Sequence, residues 1–98
     1  MEITEAKVFP VRKPDEKLKA FVTIVLDDCF VVRDLKVIKG HSGFFVAMPS
    51  RKKADGTYAD IAHPLNNEMR KQIEEIVLRE YTRIIQSQEE NSNSGENR

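Results

Sequence analysis

GFFVAMPSRKKADGTYADIAHP, residues 43–64, begins as an apolar strand, breaks at a proline and ends against the start of a helix. Phe44–Met48 reads as a strand entered from the turn Gly40-His41-Ser42-Gly43, whose glycines are available for positive φ at each end. Pro49 has no N–H to give to a ladder, so it stops the strand or confines this end to a sheet edge. Ser50-Arg51-Lys52-Lys53 then reads as a basic loop. Asp55-Gly56 is a hairpin-turn dipeptide, and Thr57–Ile61 can return from it as a short fifth strand. Past Pro64, Asn66 and Asn67 are good N-caps, and Glu68 sits in the first turn, where the helix dipole favours an acid.

Working back toward the N-terminus, Leu18–Leu26 is the clearest strand, with Leu18, Ala20, Val22, Ile24 and Leu26 on one face and Lys19, Phe21, Thr23 and Val25 on the other. Asp27-Asp28 connects it tightly to Phe30–Ile38, so the two form a hairpin. Residues 1–9 fit neither a strict period of two nor a helical period, which predicts a short strand with a bulge. Pro10 and Pro14 bracket a loop to the second strand, with turn chemistry at Pro14-Asp15-Glu16. Toward the C-terminus, Met69, Ile73, Ile76, Val77, Tyr81, Ile84 and Ile85 recur at helical steps, and the opposite face alternates in charge. Gln86 onward is wholly without apolar residues, cannot repay the entropy of ordering, and reads as a disordered polar tail over 87–98. No internal repeat is present.

The expected fold is therefore α+β: an antiparallel sheet of four or five strands with one C-terminal helix packed on it. Phe21, Val25 and Phe45 fall on strand faces opposite the best apolar sets, and one helix leaves an open sheet edge. A homodimer is the economical cover for a domain of 98 residues.

Composition narrows the function classes. Sixteen basic and sixteen acidic residues balance, so bulk charge does not announce a nucleic-acid binder. Residues 86–98 hold three glutamates against one arginine, which leaves residues 1–85 with a small basic excess that only clustering makes useful. The single Cys29 excludes an intramolecular disulfide framework and suits a reducing compartment. No apolar run approaches the ~20 residues needed to cross a bilayer, and the N-terminus lacks a signal-peptide pattern. These features predict a cytoplasmic chain.

Arg51-Lys52-Lys53 is the only run of three basic residues, and with Ser50 and nearby backbone N–H groups it could hold phosphates. Three charges are also what an ordinary solvated loop carries. Arg12-Lys13 with Lys17 and Lys19, and Arg70-Lys71, are looser basic groups. Gly43-Phe44-Phe45-Val46 is a poor match to the aromatic strand motif of RNA-recognition domains, because adjacent residues point to opposite faces; core packing is expected for at least one phenylalanine. Asp60 and His63 are expected to fix the loop before the helix, since nothing places either beside Cys29 as a nucleophilic site requires. His41 and His63 stand apart without metal-ligand spacing, and no glycine loop of the nucleotide-binding kinds occurs. No enzyme activity, metal or cofactor is expected.

VRDLKVIKG, then GFFVAMPSRK, then DIAHPLN leading into a C-terminal helix closely resembles the stage V sporulation protein G (SpoVG) family of bacterial regulators, over about residues 1–86. The resemblance implies a small cytoplasmic homodimer that binds DNA, and also RNA, and regulates gene expression, septation and sporulation. The family's motif residues carry over as Phe45 to Lys52 and Asp60 to Pro64. Among them the resemblance favours Arg51 and Lys52 as phosphate contacts, with the neighbouring Lys53 assisting. The alternative is a protein-interaction module that acts on division partners through a sheet face or edge, without touching nucleic acid.

Overall fold

The computed structural model describes residues 1–11 and 17–96, those from 89 on in backbone only. It shows the expected α+β architecture. Four strands, β1 (Ile3–Pro10), β2 (Leu18–Leu26), β3 (Phe30–Gly40) and β4 (Gly43–Ala47), form an antiparallel meander in the order β1-β2-β3-β4. A separate two-stranded sheet of β5 (Ser50–Lys52) and β6 (Tyr58–Asp60) follows, and then helix α1 (Asn67–Glu96). The turn at Pro14-Asp15-Glu16 and the pair Arg12-Lys13 lie outside the described residues. Of the polar tail over 87–98, residues 87–96 continue α1 in backbone, and 97–98 lie outside the described residues.

The alternation of β2 decides the layering. Ala20, Val22, Ile24 and Leu26 are buried with Val8, Leu35, Val37 and Val46 of the neighbouring strands, and Ile73 and Val77 of α1 close over them. Burying such side chains stabilises the fold by roughly 1.5–3 kcal/mol each before the entropy of ordering them is set against it. The helix begins where the asparagines place it. Asn66 Oδ1 accepts from the Met69 N–H at 2.8 Å, satisfying one of the amides that the first turn leaves without a partner.

Irregularities in the sheet have local causes. The β1–β2 register shifts between Ile3 and Glu5, the bulge that the broken period of β1 foretells. Asp27 and Asp28 both have positive φ, at 50° and 54°, as a type I′ turn requires, and the Cys29 N–H closes it onto the Leu26 carbonyl at 3.0 Å. Aspartate tolerates that region better than most residues, which is why the turn forms without glycine. The turn is tied to the N-terminus: Glu2 N–H donates to Asp27 Oδ1, and Asp28 N–H to Thr4 Oγ1.

Two expectations for the β3–β4 turn need correction. Gly43 has positive φ (124°), but Gly40 does not. Gly40 is needed for space: a Cβ there would stand 3.1 Å from the Phe45 ring. The two phenylalanines do split between faces, yet both remain partly exposed. Phe44 lies on the helix side, its ring 5.6 Å from that of Tyr81 at 52°, and Phe45 lies on the other.

Candidate nucleic-acid interface

Ser50, Arg51 and Lys52 are not in a loop. They form β5, and the returning strand β6 joins them in a hairpin instead of joining the meander. Pro49 explains the separation, because it breaks the ladder of β4 and lets the chain turn out of the large sheet before pairing resumes. The Pro49 carbonyl accepts from the Ile61 N–H at 2.7 Å and so closes the root of the hairpin.

The tip follows from Asp55-Gly56. Lys53 N–H donates to the Thr57 carbonyl at 2.7 Å, Gly56 N–H donates to the Lys53 carbonyl at 3.0 Å, and Gly56 takes a φ of 91°. This is a three-residue hairpin loop with a glycine bulge. Asp55 Oδ1 accepts from the Thr57 hydroxyl at 2.6 Å and from the Thr57 N–H at 3.0 Å. Both bonds favour the carboxylate, the hydroxyl contact most, and hold the Asp55 carboxyl below its usual range.

Cross-strand register sorts the basic residues. Ser50 faces Asp60, Arg51 faces Ala59, and Lys52 faces Tyr58. Since side chains alternate, Lys52 shares a face with Tyr58, Ser50 and Asp60, while Arg51 shares the other with Ala59 and, one step on, Lys53. Arg51 and Lys53 therefore stand about 6–7 Å apart along a strand whose face carries no carboxylate. Ser50 is half-buried opposite an acid, a poorer place for an anion. Arg51, Lys52 and Lys53 are all exposed, and among the described residues none of them is in an ion pair.

Tyr58 is the residue that sequence reasoning missed. It is 68% exposed, a ring beside Lys52 on an outward face. Its signal was the Asp55-Gly56 turn: counting outward from that turn puts Tyr58 opposite Lys52. Of the looser basic groups, the described members Lys17, Lys19, Arg70 and Lys71 do not join the hairpin in strand pairing. Lys17 immediately precedes β2 and Lys19 lies in it, while Arg70 and Lys71 lie in the first turns of α1.

The loop-fixing role expected of Asp60 and His63 is not what holds this segment. Among the described residues neither side chain has a hydrogen-bond partner; the backbone bond from the Ile61 N–H to the Pro49 carbonyl closes the segment. His63 is exposed, on the rim of an apolar cavity of about 200 Å³ between the start of α1 and the sheet, lined also by Leu26, Phe30, Met48, Pro49 and Met69. Cys29 is exposed in the β2–β3 turn. Among the described residues no three His, Cys, Asp or Glu side chains gather as a metal site, and no helix is long and apolar enough to cross a membrane.

A four-stranded meander backed by one helix, with a basic hairpin set outside the sheet, defines a small α+β domain. The chain belongs to the SpoVG family, whose model matches residues 1–83. It is similar to a protein named "Putative septation protein SpoVG" from Anaeromyxobacter sp. (strain Fw109-5), 64% identical over 85 residues that cover 87% of this chain and 86% of the relative. Proteins of the same name are 58% identical in Bdellovibrio bacteriovorus, over 89% of this chain and 79% of theirs, and 48% identical in Staphylococcus carnosus, over 83% and 75%.

Proposed function

We propose that this chain is a cytoplasmic, homodimeric nucleic-acid-binding regulator that contacts DNA, and also RNA, through the β5–β6 hairpin, and that it serves in septation and sporulation, as the names of its family and relatives suggest. The observation that carries this reading is the hairpin itself. Three exposed cations occupy an arm that contributes little to the core, with Arg51 and Lys53 on a face free of carboxylates. Arg offers planar bidentate donors and Lys a compact charge, and neutralising phosphates releases counterions, so a domain of zero net charge can bind through one patch. Tyr58 beside Lys52 adds a ring that can lie against a sugar or base.

Self-association is supported by apolar side chains flanking the arm: Leu65 is 92% and Ile61 66% exposed. Among the described residues the outer edges of β1 and β4 also have no strand beside them. A two-fold pair would present two hairpins and double the charge offered to one duplex. The same apolar residues favour the alternative reading, a protein-interaction module for division partners. A fluorescence-anisotropy titration of duplex DNA and RNA over a salt series, with sedimentation of the free protein, separates the two. The nucleic-acid reading requires a dimer whose affinity falls steeply with salt, by about 0.9 in log-log slope per phosphate neutralised on duplex DNA. Absence of binding at low salt would leave only the alternative.

A further inference from the structure

The face of the four-stranded sheet turned away from α1 is covered by no other described element. Register sets one residue from each strand in a row across it: Phe9 opposite Phe21, Phe21 opposite Lys36, and Lys36 opposite Ala47. Phe9 is 54% exposed and Phe21 40%, although Phe21 lies on an inner strand. Phe45, 43% exposed and opposite Ile38, is the next aromatic along β4. Beyond it the surface dips into a cleft of about 400 Å³ whose lining among the described residues is Lys17, Ile38, Lys39, Gly40, His41 and Phe45, none of them a carboxylate. The missing side chain of Gly40 is what lets the Phe45 ring settle beside that cleft.

Three rings on one open sheet face, with Lys36 in the row of Phe9 and Phe21 and a cleft lined by lysine and histidine at the end, suit a ligand that is both aromatic and anionic. Single-stranded nucleic acid is such a ligand: every base has a π-face that stacks on an aromatic side chain, and every phosphate seeks a cation. A second copy of the chain fits less well, because two-fold self-contact through this face sets Lys36 and the basic cleft near their own images. We propose that the helix-free sheet face is a second site, a stacking platform for single-stranded DNA or RNA. Bases lie on Phe9, Phe21 and Phe45, and phosphates lie near Lys36 and the cleft. The proposal rests on the reading of the chain as a nucleic-acid binder, and it adds unpaired bases to the phosphate contacts of the hairpin. It also removes the objection drawn from the adjacent Phe44 and Phe45, since the platform's rings come from three different strands.

The sequence contains no tryptophan, so Phe21→Trp places a single fluorophore on the platform. Titration with oligo-dT and with oligo-U should quench it saturably, the two arms ranking DNA against RNA. Phe9→Leu and Phe45→Leu keep apolar bulk while removing a ring. Each should weaken oligonucleotide binding by about 5- to 150-fold, the range for loss of a base-stacking aromatic, with blunt duplex binding unchanged. Thermal melts and sedimentation of the same variants act as controls for fold and assembly. Unchanged oligonucleotide affinity in folded Leu variants would overturn the proposal. Dissociation of the dimer in those variants would also overturn it and assign the face to self-contact. The hairpin is tested separately: if Arg51→Ala, Lys52→Ala and Lys53→Ala together leave duplex binding intact while the Leu variants lose oligo-dT, the arm fails and the platform stands.

Discussion

The four-stranded sheet and the β5–β6 hairpin are both antiparallel, yet one is buried on a face and the other on neither. In β2 every second residue from Ala20 to Leu26 is buried, whereas β5 and β6 bury no side chain fully. The sheet is held by apolar packing, and the hairpin by main-chain bonds, a glycine at positive φ and one aspartate in its turn. Side chains of the hairpin are thus released from maintaining the fold. That is why its cations are candidates for function and why the two regions should respond differently to mutation and to pH.

The largest effect should come from the sheet. Leu35 is fully buried, and Leu35→Ala should cost about 2–5 kcal/mol in urea unfolding, the range for a buried leucine left as a cavity. Next, Asn66→Ala removes the cap of α1 and should cost about 1 kcal/mol by the same measurement. At the tip of the hairpin, Gly56→Ala forces an L side chain into positive φ, at a local cost of about 1–2 kcal/mol. The Lys53 and Gly56 amides should then exchange faster while the urea midpoint stays near the parent's. A matching fall in global stability would mean that hairpin and core are one cooperative unit, contrary to the comparison drawn above.

The smallest effect should be that of pH. The Asp55 carboxyl is held low in the folded hairpin, so its contribution is present above the ordinary carboxylate range and is lost as pH falls through the depressed folded value. Amide exchange at Thr57, followed by NMR down an acid series, should show the turn loosening before the sheet. Replacing Asp55 with Asn should abolish that difference.

Much of this was legible in the residues. Alternation in 18–26, the bulge in β1, the asparagine caps and the Asp55-Gly56 turn each have a local cause that sequence displays. The pairing of β5 was not legible, because Ser50-Arg51-Lys52 has no apolar alternation and becomes a strand only through partners that β6 supplies. Tyr58 was legible only by counting outward from the Asp55-Gly56 turn, which puts it opposite Lys52. The function of Gly40 was misread for a related reason: its role is to make room for a ring five residues away, which no turn rule encodes. The gathering of Phe9, Phe21 and Phe45 on one face required the strand order, since the three lie far apart in the chain.

The central claim is that the hairpin is a phosphate-binding arm separable from the fold. It is tested most directly by the variant carrying Arg51→Ala, Lys52→Ala and Lys53→Ala, titrated against duplex DNA over a salt series beside the parent. The account predicts weaker binding at low salt, a flatter log-log slope and an unaltered melting temperature. Equal affinity at every salt concentration in a folded variant would contradict it.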